Sequence, residues 1–402
     1  MDTKMTVNTI CTVCDSKELI KKLDFGEQPP ANRFVASSFD KESETYNLSL
    51  GVCKICGTIQ LTDRMPLDAV RPIYDWLLYN EPEGHLDSVA STIKNLPGIS
   101  ENSRFLGTTY KDESTLSRLN KLGLTNTNCI KETDLLNTSK PFGLETIQDV
   151  LQSDQIQKQL KEKYGEIDVL IVRHILEHST SSKNLLINMS KLLKSGGYMI
   201  LEIPDSEHIF KAENYAFIWE EHISYFSEDS IANIAHFAEA EVVKIDRYSY
   251  PFEDSLNIVL KFDKNTTSNH QDPVYFNSDI GIIDNFSKNL EKKRLYWRET
   301  LLNYKKQGSP VAIFGAGHLA VKFINFLRIA DLIDCVIDDH PSKVGLKMPG
   351  SNIQILPSKQ LHSRGIKVCI STLSPESEEK VRTKLPNYFT SGGVFLPAST
   401  AQ

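Results

Sequence analysis

Two Cys-x-x-Cys pairs, Cys11-Thr-Val-Cys14 and Cys53-Lys-Ile-Cys56, constrain the start of this chain more than any other feature. Four thiolates complete a tetrahedral Zn²⁺ shell and leave no position for water, so the site they describe is structural. A segment this short buries too little apolar surface to fold unaided, and metal binding supplies the missing free energy. The intervening residues 15–52 make a longer gap than an ordinary zinc finger has, so a looped-out hairpin must lie between the pairs. Two disulfides are the competing reading. The opening Met-Asp-Thr-Lys-Met-Thr lacks the apolar core of a secretion signal, so a cytoplasmic chain is expected, where paired Cys-x-x-Cys favours metal.

At 402 residues the chain has length for about two to four domains. Its apolar share of 40% and charged share of 24% suit a soluble globular protein, and a net charge of −7 argues against a nucleic-acid partner. The sequence contains no apolar run long enough to span a membrane. Cys129, Cys335 and Cys369 are scattered and read as small buried hydrophobes.

An α/β chain in three parts is expected. Residues 1–65 form the zinc module. Residues 66–262 begin with an irregular stretch and then alternate strand-like and helix-like segments, as in a mostly parallel sheet. Within them Asp168–Arg173 reads as a buried strand. Leu186, Met189 and Leu193 have helical spacing, and Gly196-Gly197 would end that helix. Tyr198–Ile203 then reads as another strand, stopped by Pro204-Asp205. Residues 263–273 are polar and breaker-rich, a boundary. From 276 to 402 a long amphipathic helix, marked by Ile283, Phe286, Leu290, Trp297, Leu301 and Tyr304, precedes a second α/β unit.

That unit opens with Val311-Ala-Ile-Phe-Gly315-Ala-Gly317-His-Leu-Ala320, followed by Val336-Ile-Asp338-Asp339. A strand, a glycine turn, a helix and a strand-end acid at this spacing match the dinucleotide fingerprint in its alanine-ended form. The alternative is a Rossmann-like domain that is structural or contacts substrate.

Taken in order, these modules resemble the three-domain sugar C-methyltransferase family. The resemblance is carried by Cys11, Cys14, Cys53 and Cys56; by Asp24-Phe-Gly-Glu-Gln-Pro-Pro-Ala-Asn-Arg-Phe34; by Arg173-His-Ile-Leu-Glu-His178; by Trp219-Glu-Glu-His-Ile-Ser-Tyr-Phe226; and by Phe314-Gly-Ala-Gly317. It implies a zinc domain, a central Rossmann-like domain using S-adenosylmethionine (SAM), and a C-terminal Rossmann-like domain, acting on a nucleotide-linked keto-deoxysugar. It implies that His222 takes the proton next to the carbonyl, with Glu221 orienting it or holding sugar hydroxyls and Tyr225 donating to the carbonyl oxygen. Packing roles for this block, with Ser227 as a helix cap, are the competing reading. Arg173 and His174 would line the cofactor pocket, with Glu177 and His178 capping the segment that follows. Gly315 and Gly317 would meet the substrate.

Two stretches depart from the family. Its acid-x-Gly-x-x-x-Gly cofactor loop is replaced by Arg104–Leu116. Anchored on Asp112, the first glycine position holds Thr109, the second holds Glu113 and the acid position holds Gly107. Gly107 could act as a shifted loop glycine, and Glu132 or Asp134 could hold a ribose. The Tyr/Ser-rich substrate stretch is replaced by Tyr74–His85, where Tyr79 or Trp76 would supply the aromatic contact. Two functions follow from the resemblance: a C-methyltransferase using SAM, or a protein of the same fold that handles a nucleotide-sugar without it. A nicotinamide-linked enzyme built on Gly315 and Gly317 is the third.

Overall fold

The computed structural model describes residues 10–36, 44–74, 81–135, 146–263 and 277–399. Tyr79, Trp76 and nearly all of the 263–273 boundary lie outside them.

The N-terminal module is an antiparallel meander of β1 (Leu19–Gln28), β2 (Tyr46–Cys53) and β3 (Ile59–Asp63). Its sheet gains a fourth strand, Ser224–Tyr225, which pairs with β3 from far along the chain. The module therefore holds the 219–226 block by backbone hydrogen bonds.

The central domain begins with α1 (Leu86–Lys94), whose N-cap is His85. Its sheet contains β4 (Phe105–Gly107), β5 (Thr127–Cys129), β6 (Ile167–Arg173), β7 (Leu193–Asp205), β8 (Glu241–Tyr248) and β9 (Asp254–Phe262) in the order β8-β9-β7-β6-β4-β5. Strands β5, β4, β6 and β7 run parallel, and β9 inserts antiparallel between β7 and β8. Helices α2 (Glu113–Lys121), α3 (Ser182–Ser190) and α4 (Glu228–Phe237) cover the faces. Ser227 caps α4 through a reciprocal pair with Ser230.

Two expectations fail here. Helix α3 ends at Ser190, and Leu193 begins β7. The Gly196-Gly197 pair lies inside that strand, at an irregularity between the Ile167 and Val169 pairings, where Gly196 takes φ 74°. A glycine kink in a strand and a glycine after a helix look alike in sequence. Pro204-Asp205 does not stop the strand either, because β9 continues to pair with it through Asp205.

Helix α5 (Asn277–Lys306) buries Ile283, Phe286, Leu290, Trp297 and Leu301 in one core shared with β1, β2 and residues 209–218. The C-terminal unit is an all-parallel sheet of β10 (Val311–Phe314), β11 (Cys335–Ile337), β12 (Ile355–Leu356), β13 (Val368–Ser371) and β14 (Val394–Pro397), ordered β12-β11-β10-β13-β14. Its first helix, α6 (His318–Leu327), packs towards the 215–217 turn of the central domain.

Candidate functional site: a junction of three domains

The four N-terminal cysteines converge. One sulfur from each lies within 4.8 Å of the others; Cys11 and Cys56 are 3.4 Å apart, and Cys14 and Cys53 are 3.5 Å apart. The close pairs cross between the two knuckles, and their separations far exceed an S–S bond. Tight turns present the sulfurs: Asp15 at φ 58° and Gly57 at φ 72° follow the knuckles. The residues fit tetrahedral Zn²⁺. The knuckles also grip the central domain, since Lys183 N–H donates to Thr12 O and the Asn233 amide to Cys56 O.

Residues 219–225 are held from every side. Ile223 and Ser224 N–H both donate to Glu177 O, and Leu61 N–H to Ile223 O. His178 Nδ1 lies 2.8 Å from Glu221 O. Glu177 and His178 thus position the candidate block instead of capping α3, whose N-cap is Ser181. The Tyr225 hydroxyl accepts from Trp219 N and donates to Trp219 O at 2.9 and 3.0 Å, and burial lifts its pKa well above the ordinary phenol value. Its one proton is spent on that carbonyl, so Tyr225 clamps the turn rather than donating to a substrate oxygen.

His222 sits at the centre of an aromatic cluster. Its ring is edge-on to His178 at 4.9 Å and 5.1 Å from Trp219, which stacks on His318 at 4.3 Å and 21°. Burial, and then neighbouring histidines, lower its pKa well below 6.5, so the imidazole is neutral at physiological pH. It belongs to one group of ligating atoms within 4.8 Å of one another, with Glu177 and His178; a second such group is Glu220, Glu221 and His318. The Glu177–His178–His222 donors suit a hydrogen-bonded polar ligand.

Glu220 ties the junction together. One oxygen accepts from Ala31 N–H at 2.5 Å, and the other lies 2.5 Å from Lys322 Nζ and 3.4 Å from His318 Nε2. Lys322 and Glu220 are both fully buried as side chains. A buried charge persists only when paired. Although burial works against ionisation, Lys322 and His318 hold the Glu220 carboxyl well below its usual range. His318 and Lys322 stand one turn apart on α6, so the C-terminal domain supplies two side chains to a loop of the central one. Sequence reading missed both. The available signals were a histidine directly after Gly317 and one lysine inside an otherwise apolar helix.

The glycine turn that precedes them serves packing. Gly315 has φ 101°, and a Cβ there would lie 2.9 Å from both Thr372 Oγ1 and Leu373 Cδ2. Gly317 caps α6. Of the two strand-end acids, Asp338 accepts from Ala316 N–H at 2.9 Å and pairs with Lys343 at 3.0 Å, while Asp339 accepts from Ser358 N–H and Oγ, each at 2.8 Å. The dinucleotide reading therefore loses both acids to partners within the domain.

After β4, the altered cofactor loop also closes on itself. Thr109 caps a 3₁₀ turn, Tyr110–Asp112. The buried Asp112 carboxylate accepts from Thr108 N–H at 2.6 Å, Thr109 N–H at 2.8 Å and Thr108 Oγ1 at 2.9 Å. A Cβ on Gly107 would lie 2.7 Å from Asp112 Cβ, so this glycine makes room for an aspartate. The Thr108 and Thr109 amides are taken by the loop's own aspartate, and the loop so closed does not fit SAM. Glu132 is exposed beyond β5, while Asp134 pairs with Lys163 and Tyr164. Arg173 and His174 both lie against Glu202.

Family models match three successive segments: "Putative zinc binding domain" over residues 11–70, methyltransferase domain over 132–245, and C-methyltransferase C-terminal domain over 276–398. In content and order the three matched segments are a zinc-binding domain, a methyltransferase domain and a C-methyltransferase C-terminal domain. The chain matches the three-domain C-methyltransferase family. A curated relative, C-methyltransferase NovU of Streptomyces niveus, is 20% identical over 238 residues. The match spans 58% of this chain and 56% of that relative's length. Among solved structures, a SAM-dependent methyltransferase from Archaeoglobus fulgidus matches 44% of this chain and 94% of its own, at 12% identity and TM-score 0.30. The 1,6-didemethyltoxoflavin-N1-methyltransferase of Burkholderia thailandensis, solved with S-adenosylhomocysteine, matches 44% and 77%, at 11% and 0.29.

Proposed function

We propose that this protein binds a nucleotide-linked keto-deoxysugar at the three-domain junction and enolises it, with His222 as the base. The observation that carries the reading is a neutral, buried imidazole grouped with Glu177 and His178, next in sequence to the Glu220–Glu221 pair that meets His318. Neutral imidazole is the form that can accept a proton, and its surroundings keep it in that form. The C–H bond next to the sugar carbonyl breaks, its proton passes to a His222 ring nitrogen, and its electron pair becomes the enolate. Return of a proton to the same carbon restores the ketone. Glu221 would hold sugar hydroxyls. His318, beside Trp219, would donate to the developing enolate oxygen, the part first expected of Tyr225.

His222→Ala tests the assignment. Solvent-deuterium wash-in at the carbon next to the carbonyl should fall by roughly 10²–10⁴, the usual worth of a general base, while sugar-nucleotide affinity changes little. Unchanged wash-in would rule out His222 as the base.

A further inference from the structure

We propose that the central domain accepts no adenosyl cofactor, because a buried network of its own side chains stands in the cleft at the ends of β4 and β6. The inference is independent of what binds at the three-domain junction. Its hub is Glu202, on β7, in register with Arg173 on β6. Glu202 takes Arg173 Nε at 2.6 Å and a second Arg173 nitrogen at 3.4 Å. His174 Nε2 stands 3.2 Å away, His85 Nε2 3.1 Å and Ser255 Oγ 3.4 Å. The other end of the Arg173 guanidinium crosses to the start of α2, where it donates to Lys111 O and, at 3.1 Å, to Ser114 Oγ. Arg173 therefore bridges the two strand ends between which a cofactor would enter. Residues just before α1 close the outer side: His85 reaches Glu202, Glu81 pairs with Lys111, and Glu83 lies 3.4 Å from Arg173.

Arg173, His85, Asp112 and Glu202 are all at least nine-tenths buried. Admitting a ligand would strip charged groups of partners inside a low-dielectric site, which costs far more than an exposed pair would. His174 takes φ 54°, a left-handed conformation uncommon outside glycine, and its ring lies against Glu202. Replacement of both loop glycines, capture of the loop amides by Asp112 and the Arg173 bridge all act at one place. Sequence departures that look like decay are, together, a substitute filling.

The test is calorimetric titration of the full-length, zinc-loaded chain with SAM and with S-adenosylhomocysteine, without sugar. One zinc per chain and a cooperative melt establish that the protein is folded. The expected result is no binding up to millimolar ligand and no change in melting temperature. Micromolar binding of either ligand overturns the inference. Because no sugar is present, that outcome leaves the His222 assignment untouched, and failure of the His222 assignment leaves this result standing.

Discussion

At the scale of single residues, environment decides what each candidate can do. His222 and His174 are both buried histidines, yet their pKa values move in opposite directions. Burial, and then neighbouring histidines, hold His222 neutral. His174 overcomes burial through Glu177 and Glu202 and is pushed up to about 10. If His222 is the base, proton abstraction should be flat with pH from 6.5 upward, because the imidazole is already neutral there. A rate that rises through an ordinary histidine midpoint, followed by deuterium wash-in, would contradict the assignment. Cys53→Ser should lose the metal and destabilise residues 10–60, which paired zinc analysis and thermal melting would read. A variant that kept one zinc per chain and melted normally would refute the zinc site.

The residues themselves show how far the sequence could be read. The four cysteines were legible because thiolate chemistry and spacing constrain each other. The Trp219–Phe226 block was legible as a unit, but the role of Tyr225 was not, since its partner is a backbone carbonyl six residues away. His318 and Lys322 were hidden for a different reason. Their importance arises from docking of α6 against Glu220, a contact between distant segments that local pattern does not encode.

At the scale of elements, helix α5 follows from apolar periodicity, and β6, β10 and most of β7 from short apolar runs. Period alone could not separate the end of α3 from the start of β7, because a short apolar run suits either state. The loop after β4 is the most instructive element. Its Thr-x-x-Asp spacing reads in retrospect as a capping box, and the structure uses it as one. The Glu202 network makes a pH-dependent contribution whose sign follows from His174. Its folded pKa is raised above 6.5, so its stabilisation is complete below 6.5 and is lost as pH rises through about 10. The urea midpoint of the wild type should therefore fall over that window, and His174→Gln should flatten the fall. Parallel curves for the two proteins would show that the histidine is not charged in the fold.

At the scale of the whole molecule, one buried ion pair couples the domains. Glu220 lies in the central domain, Lys322 in the C-terminal domain and the Ala31 N–H in the N-terminal module. Lys322→Met leaves a buried carboxylate facing an apolar side chain and should cost about 3–5 kcal/mol. Adding Glu220→Gln should recover part of that loss, because the uncompensated charge disappears. Chemical denaturation in a double-mutant cycle measures the coupling, and strictly additive effects would mean that the pair does not join the domains.

The central claim is that proton chemistry at the junction needs no adenosyl cofactor. It is tested most directly by incubating the zinc-loaded wild-type chain in D₂O with a nucleotide-linked keto-deoxysugar and no SAM. Deuterium should appear at the carbon next to the carbonyl, at a rate that added SAM leaves unchanged. Exchange that begins only when SAM is supplied would contradict the account.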